Sequence, residues 1–208
     1  DLAAVREVKG RFDATVNDVV LACVAGAVRQ HLLAHDVETE GLDFRVFVPV
    51  STRTTDERGA LGNRVSTLIA PLPVDEPDPR RRLETISETT SELKESGQAA
   101  GAALLEDLSD AVAPSVLTAI NRFARTRRAY NLVVTNVPGL PFPVYFSGCR
   151  LLASYPLVPL FDNQALGIAV MSYDGALCWG FNADWDAMAD LHDFVAAVDG
   201  EFETLRKL

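Results

Sequence analysis

The 208-residue sequence predicts a mixed α/β fold, and two observations carry that expectation. Segments of helical period and segments of strand period follow one another in the order helix, two strands, three helices, four strands, helix, which is not the alternation of a regular parallel βαβ series. Charge is also spread very unevenly. Between Tyr130 and Asp184 only Arg150, Asp162, Asp174 and Asp184 are charged, although the chain as a whole carries 19 Lys+Arg and 29 Asp+Glu. A stretch so poor in charge is expected to be buried on both faces, or covered by another domain or a lipid ligand.

The first helix is expected from Thr15 to about His35. Thr15-x-x-Asp18 fits a capping box, and the residues that follow are apolar nearly all round, as in a helix at the centre of a structure. Asp43 to Arg53 reads as a strand with Phe44, Val46, Val48 and Val50 on one face, and Asn63 to Ala70 as its neighbour beyond a polar loop. Asp78-Pro79 supplies a cap and a proline at the first helical position, and Leu83, Ile86, Thr90 and Leu93 form the inward stripe of the helix they open. Gly97 and Gly101 break it, and two helical segments follow at about 102–111 and 114–127. Strands are expected at 130–137, 144–153, 165–173 and 176–183, with Asp174-Gly175 as the last hairpin turn, and an amphipathic helix at 187–205.

Composition excludes several classes. At 48% hydrophobic and 23% charged the chain is an ordinary folded protein, and its net charge of -10 argues against nucleic-acid binding. Cys23, Cys149 and Cys178 have no metal-type spacing and read as reduced thiols of a cytoplasmic protein. No secretory signal or membrane-spanning helix is expected; the longest uncharged run, 130–149, is broken by Pro138, Pro141 and Pro143. The start at Asp1, without Met, reads as a cut or cleavage boundary.

Few side chains stand out as chemical. His31 and His35 have the i, i+4 spacing that can place two imidazoles on one metal, but no third ligand is evident, so no metal site is assigned. His192, between Asp190 and Asp193, reads as solvated. Two basic clusters, Arg80-Arg81-Arg82 and the group Arg122, Arg125, Arg127 and Arg128, could meet cofactor phosphates or an anionic membrane, or could be solvated helix faces. Asn17-Asp18 opens the buried helix: as structure, Asp18 closes the capping box and favours the positive end of the helix dipole, and as function, the Asn17 amide could orient a substrate oxygen. Thr135-Asn136-Val137-Pro138-Gly139 ends a buried strand at a forced turn, a place that suits an oxyanion donor and a turn-stabilising Asn equally well. No P-loop, GxGxxG, GxSxG or CxxC pattern is present.

Five collinear motifs give a resemblance. TVNDVVLACVAGAVR (15–29), VPVSTR (48–53) with LGNRVS (61–66), TNVPG (135–139), LLASYPLVPL (151–160) and SYDGALCWGFNAD (172–184) resemble the C-terminal domain of the bacterial wax ester synthase/diacylglycerol acyltransferase family. The resemblance implies one half of a chloramphenicol-acetyltransferase-like fold, a mixed sheet with helices packed on it, spanning residues 1–208 as a single C-terminal acyltransferase domain. It implies transfer of a fatty acyl group from acyl-CoA, a substrate rather than a resident cofactor, to a fatty alcohol or diacylglycerol. The family's HHxxxDG motif, whose histidine is the general base, is absent here and would come from an N-terminal half. By this resemblance Asn17, Thr135 and Asn136 support the site, Asp18, Pro138 and Gly139 hold its backbone, and Arg125 and Arg128 meet the CoA phosphates. Any contact with the inner membrane or lipid droplets would be peripheral. Two departures stand out: Asp162-Asn163 where the family often has glycine after the aspartate, and Gly167 where an asparagine is expected before Ile168. A non-catalytic scaffold of the same fold, or an acyltransferase using carrier-bound donors, are the other readings.

Overall fold

A computed structural model describes residues 1–51, 65–96, 130–160 and 163–208. Five strands form one sheet in the order β2-β1-β3-β6-β7: β1 Arg45–Ser51, β2 Val65–Pro71, β3 Leu132–Val137, β6 Leu166–Tyr173 and β7 Ala176–Ala183. The outer pairs are antiparallel and the two joints at β3 are parallel, so the sheet is mixed, as the order of elements predicts. The turn from β6 to β7 has φ 44° at Asp174 and 81° at Gly175, the left-handed pair that a two-residue hairpin requires.

Helices cover one face of this sheet. The capping box at the head of α2 (Val16–Ala34) is formed: the Asp18 backbone N–H donates to Thr15 Oγ1 at 3.2 Å, and the Thr15 N–H donates to Asp18 Oδ2 at 2.8 Å. Every residue from Asp18 to Val28 is buried, because α2 lies between the sheet and the other helices. By length and composition α2 could cross a membrane, yet 61% of its most apolar window is buried inside the fold, as befits a core helix. α3 (Pro79–Glu95) starts at its Asp78 cap and buries Leu83, Ile86 and Thr90. The Thr90 hydroxyl donates to Asp18 Oδ1 at 2.8 Å, so one carboxylate both caps α2 and ties α3 to it.

Three sequence expectations are corrected. A helix α1, Leu2–Arg11, precedes Thr15; its only buried side chains are Val5 and Val8, too short a stripe to stand out among Arg6, Glu7, Lys9 and Arg11. The strand expected at 144–153 is instead a small hairpin, β4 Tyr145–Phe146 and β5 Cys149–Arg150, followed by a segment at 151–160 that pairs with no strand among the described residues. Left-handed Ser147 and Gly148 turn it sharply, and Pro156 and Pro159 withhold ladder donors beyond it. The last helix, α4, runs Leu191–Lys207, beginning four residues late because Asp184 Oδ1 accepts from the N–H groups of Asp186 and Ala187 and holds a turn there. The helical segments expected at 102–111 and 114–127 lie outside the described residues.

Arg82 overturns both readings of its basic cluster. It is 2% exposed and forms an ion pair with Glu201 of α4, itself 12% exposed, while its other guanidinium nitrogen donates to the Glu76 carbonyl at 2.9 Å. Gln30 of α2 donates to Glu201 at 2.6 Å, and a Cβ on Gly26 would collide with both members of the pair. Arg80 is placed over the Phe12 ring, 5.3 Å from its centroid, which leaves Arg81 as the free cation of the cluster among the described residues. We expect Glu201→Ala to cost about 3–5 kcal/mol in urea denaturation, since it strands a buried guanidinium, and the double change Arg82→Met with Glu201→Leu to recover most of that loss.

Candidate active-site half at the end of the central strand

β3 is the central strand, and its last residues emerge from the core half-buried: Leu132, Val133 and Val134 are buried, Thr135 and Asn136 partly so, Val137 exposed. Consecutive strand residues project to opposite faces. Leu132 and Val134 join the helix-side core with Ile168 and Val170, so Asn136 points to that side and Thr135 to the other. The two residues that the sequence groups together therefore cannot face one cavity from the same side.

The face that Thr135 shares is crossed by the 151–160 segment. A side chain at Gly167 would meet Val158 at 2.7 Å and Leu160 at 3.2 Å, and one at Gly180 would overlap the Pro156 carbonyl. Bare backbone at 167 and 180 thus lets this segment lie directly on β6 and β7. The Tyr173 hydroxyl fastens its start, donating to the Leu151 carbonyl at 3.0 Å and accepting from the Val144 N–H at 2.8 Å. Gly167 stands where the resemblance leads one to expect asparagine, and across the strand pair from it the buried Asn182 Oδ1 has no hydrogen-bond partner among the described residues. Asn163, at the position of the usual glycine, adopts φ 65°, a conformation that asparagine tolerates better than other side chains.

Gly139 fixes the turn after β3. Its N–H donates to Ser172 Oγ at 3.0 Å, and a Cβ there would overlap the Ser172 carbonyl oxygen, so Pro138-Gly139 is held hard against β6. Asn17 lies in the first turn of α2, half-buried, with no side-chain hydrogen bond among the described residues. Asp18, by contrast, has both oxygens engaged. Arg125 and Arg128 lie outside the described residues, as does most of LGNRVS. His192 is exposed, and His31 and His35 contact Asp190 rather than the Thr135 turn.

A cavity of about 590 Å³ opens on the helix side, lined by Val5, Val19, Cys23, Trp179, Phe181 and Phe202 among others. None of Asn17, Thr135 and Asn136 lines it. Its polar lining is mixed, with Asp1, Asp199 and Glu203 beside His192 and Arg206. Burial, reinforced by nearby Glu201, pushes the Cys23 thiol well above its ordinary range, so Cys23 is an inert part of the wall rather than a nucleophile.

The charge-poor stretch divides into two parts. β3 and β6 are buried on both faces, whereas the chain after β3 exposes Phe146 (83%), Leu152 (84%), Tyr155 and Leu157, and Trp185 beyond β7 is 82% exposed. So much exposed apolar surface in one charge-poor segment marks a contact face.

Comparison with known proteins places this architecture. The WS/DGAT C-terminal domain family matches residues 61–206, and the chain belongs to that family. A protein named as a diacylglycerol O-acyltransferase in Mycobacterium tuberculosis is 35% identical over 213 residues, covering 100% of this chain and 41% of the relative. The O-acyltransferase WSD of Acinetobacter baylyi is 31% identical, covering 98% of this chain and 44% of its own length. In structure, the wax ester synthase/diacylglycerol acyltransferase of Marinobacter aquaeolei superposes with a TM-score of 0.77 at 24% identity, over 99% of this chain and 47% of that one. An epimerization domain of tyrocidine synthetase follows with a TM-score of 0.60 at 15% identity. The fold is thus the chloramphenicol-acetyltransferase-like half expected, and the chain spans less than half the length of these relatives.

We expect Gly180→Ala to displace the 151–160 segment and to destabilise the protein by about 1–3 kcal/mol, measured by thermal or urea unfolding, because the added methyl meets backbone rather than a movable side chain.

Proposed function

We propose that this chain is the C-terminal half of an O-acyltransferase that moves a fatty acyl group from acyl-CoA to a fatty alcohol or diacylglycerol. Membership of the family carries the proposal: relatives named for that activity align with the whole of this chain over less than half of their own length. The charge-poor, exposed apolar segment from Phe146 to Leu157, in which Arg150 is the one charged residue, supports it, being the surface that an N-terminal half bearing HHxxxDG would cover. In this scheme a histidine of that half takes the acceptor hydroxyl proton, and the oxygen attacks the thioester carbonyl carbon. The tetrahedral oxyanion then collapses, the C–S bond breaks, and the CoA sulfur leaves with the proton returned by the histidine.

The role of this chain is to line the acyl path and to hold donors. Thr135, half-buried at the end of a rigid strand, donates its hydroxyl to the oxyanion; Asn17 orients a substrate oxygen from the head of α2; Arg125 and Arg128 meet the CoA phosphates. Asn136, directed to the other face of the sheet, supports the turn. The protein works in the cytoplasm, and its contact with a membrane or lipid droplet is peripheral.

CoA-thiol release from palmitoyl-CoA, with hexadecanol or diacylglycerol as acceptor, tests this directly. Turnover is expected only when the chain is joined to, or mixed with, a half bearing HHxxxDG; turnover by the 208 residues alone would overturn the proposal. In the two-half enzyme, Thr135→Ala is expected to lower kcat by about 10²–10³-fold with little change in folding. Asn17→Ala should reduce kcat/KM, and Thr135→Ser should retain most activity. Turnover with carrier-bound acyl groups and none with acyl-CoA would instead favour a donor held on a protein.

A further inference from the structure

The opposite end of α2 holds a second group of chemistry-bearing side chains that the acyltransferase reading does not use. His31 lies in the last turn of α2, His35 is its C-cap, and Asp190 is the N-cap of α4. Asp190 Oδ2 lies 3.2 Å from His31 Nδ1 and 3.7 Å from His35 Nε2, and the two imidazole rings are 4.4 Å apart between centroids. One ligand atom from each residue falls within 4.8 Å of the others. The sequence offers only the two histidines; folding brings the third ligand from the far end of the chain.

Two further observations bear on what fills this space. His35 Nδ1 is 2.8 Å from the His31 carbonyl oxygen, which can only accept, so Nδ1 carries the proton. The other ring nitrogen, Nε2, faces Asp190 Oδ2 at 3.7 Å, beyond direct hydrogen-bond reach and open to an ion between them. Such a hydrogen bond from the remote ring nitrogen to a carbonyl is also how metal-binding histidines are held in the right tautomer. Second, Asp190 does not cap its helix. Asp1, Thr15 and Asp78 all accept helix N–H groups, whereas the Asp190 side chain makes no cap hydrogen bond and turns to the imidazoles instead.

We propose that His31, His35 and Asp190 form a site for a late first-row divalent cation of the Zn²⁺ class. Two imidazoles and one carboxylate suit such ions, whereas Ca²⁺ and Mg²⁺ require mainly oxygen ligands. A tetrahedral centre with bonds of about 2.0–2.1 Å has ligands roughly 3.3 Å apart, close to both Asp–His separations. His35 is half exposed and can make the remaining adjustment, and water completes the coordination on the exposed side. The negative end of the α2 dipole favours a cation at this point. The ion joins the end of α2 to the start of α4, so its role is to lock two core helices together, independently of acyl transfer.

The test is titration of the full, tag-free, chelator-stripped chain with Zn²⁺ by calorimetry and with Co²⁺ by visible absorption, in a Cys149→Ser background that removes the exposed thiol. One equivalent is expected to bind in the micromolar range or tighter, and saturation should raise the thermal midpoint. His35→Ala and Asp190→Asn, both at partly exposed positions and checked for folding by circular dichroism, should each weaken binding by at least about tenfold and abolish the thermal shift. Absence of Zn²⁺ binding up to millimolar concentration would overturn the site, as would affinity unchanged in both variants.

Discussion

The buried ion pair between Arg82 and Glu201 is the constraint around which the helix layer is arranged. It joins α3 to α4 across the flank of α2, and it fits only because α2 presents hydrogen at Gly26 where any other residue would present carbon. The environment of the pair is polar where it must be: Gln30 and the Glu76 carbonyl complete most of its hydrogen bonds, leaving Arg82 Nε without a partner among the described residues. A pair of this kind adds little net stability relative to a well-packed apolar substitute. Its effect lies in register, because a helix slipped by one residue would leave a guanidinium and a carboxylate each alone in the core. The Asp18–Thr90 contact repeats the same logic at the other end of α3.

The sheet has two different coverings for a related reason. On the helix side, β-branched and leucine side chains interlock with α2 and α4. On the other side, an extended segment lies flat against Gly167 and Gly180, where the absence of side chains allows backbone to approach backbone. That segment cannot be a sixth strand, since its prolines withhold donors and Leu151, Leu152, Tyr155 and Leu157 face outward. The charge-poor stretch of the sequence therefore serves two purposes. Part of it is core in this chain, and part is an apolar face that the chain does not bury.

Much of this was legible in the residues. The capping box at Thr15, the proline cap at Asp78, the stripe on α3 and the Asp174-Gly175 turn are local chemistry, complete within one or two helical turns, and all form where the spacing places them. The first helix escaped because two buried valines make too weak a periodic signal. The 144–153 strand failed because apolar, β-prone residues can cover a sheet without pairing with it, and only the glycines beneath them reveal the difference. For the site, the sequence singled out Thr135 and Asn136 together; the alternation of a strand, fixed only once β3 is placed at the centre, sends them to opposite faces.

What the sequence determined by itself was whatever depends on neighbours a few residues away: helix starts, the hairpin turn, the central burial of α2 and the motifs that mark the family. Tertiary structure decided whatever depends on residues far apart. It took Arg82 out of an apparent surface cluster and paired it with Glu201, and it turned Asp190 from a helix cap into a partner for His31 and His35. A charged side chain's environment is set by what packs against it from elsewhere in the chain, and no spacing along one helix encodes that.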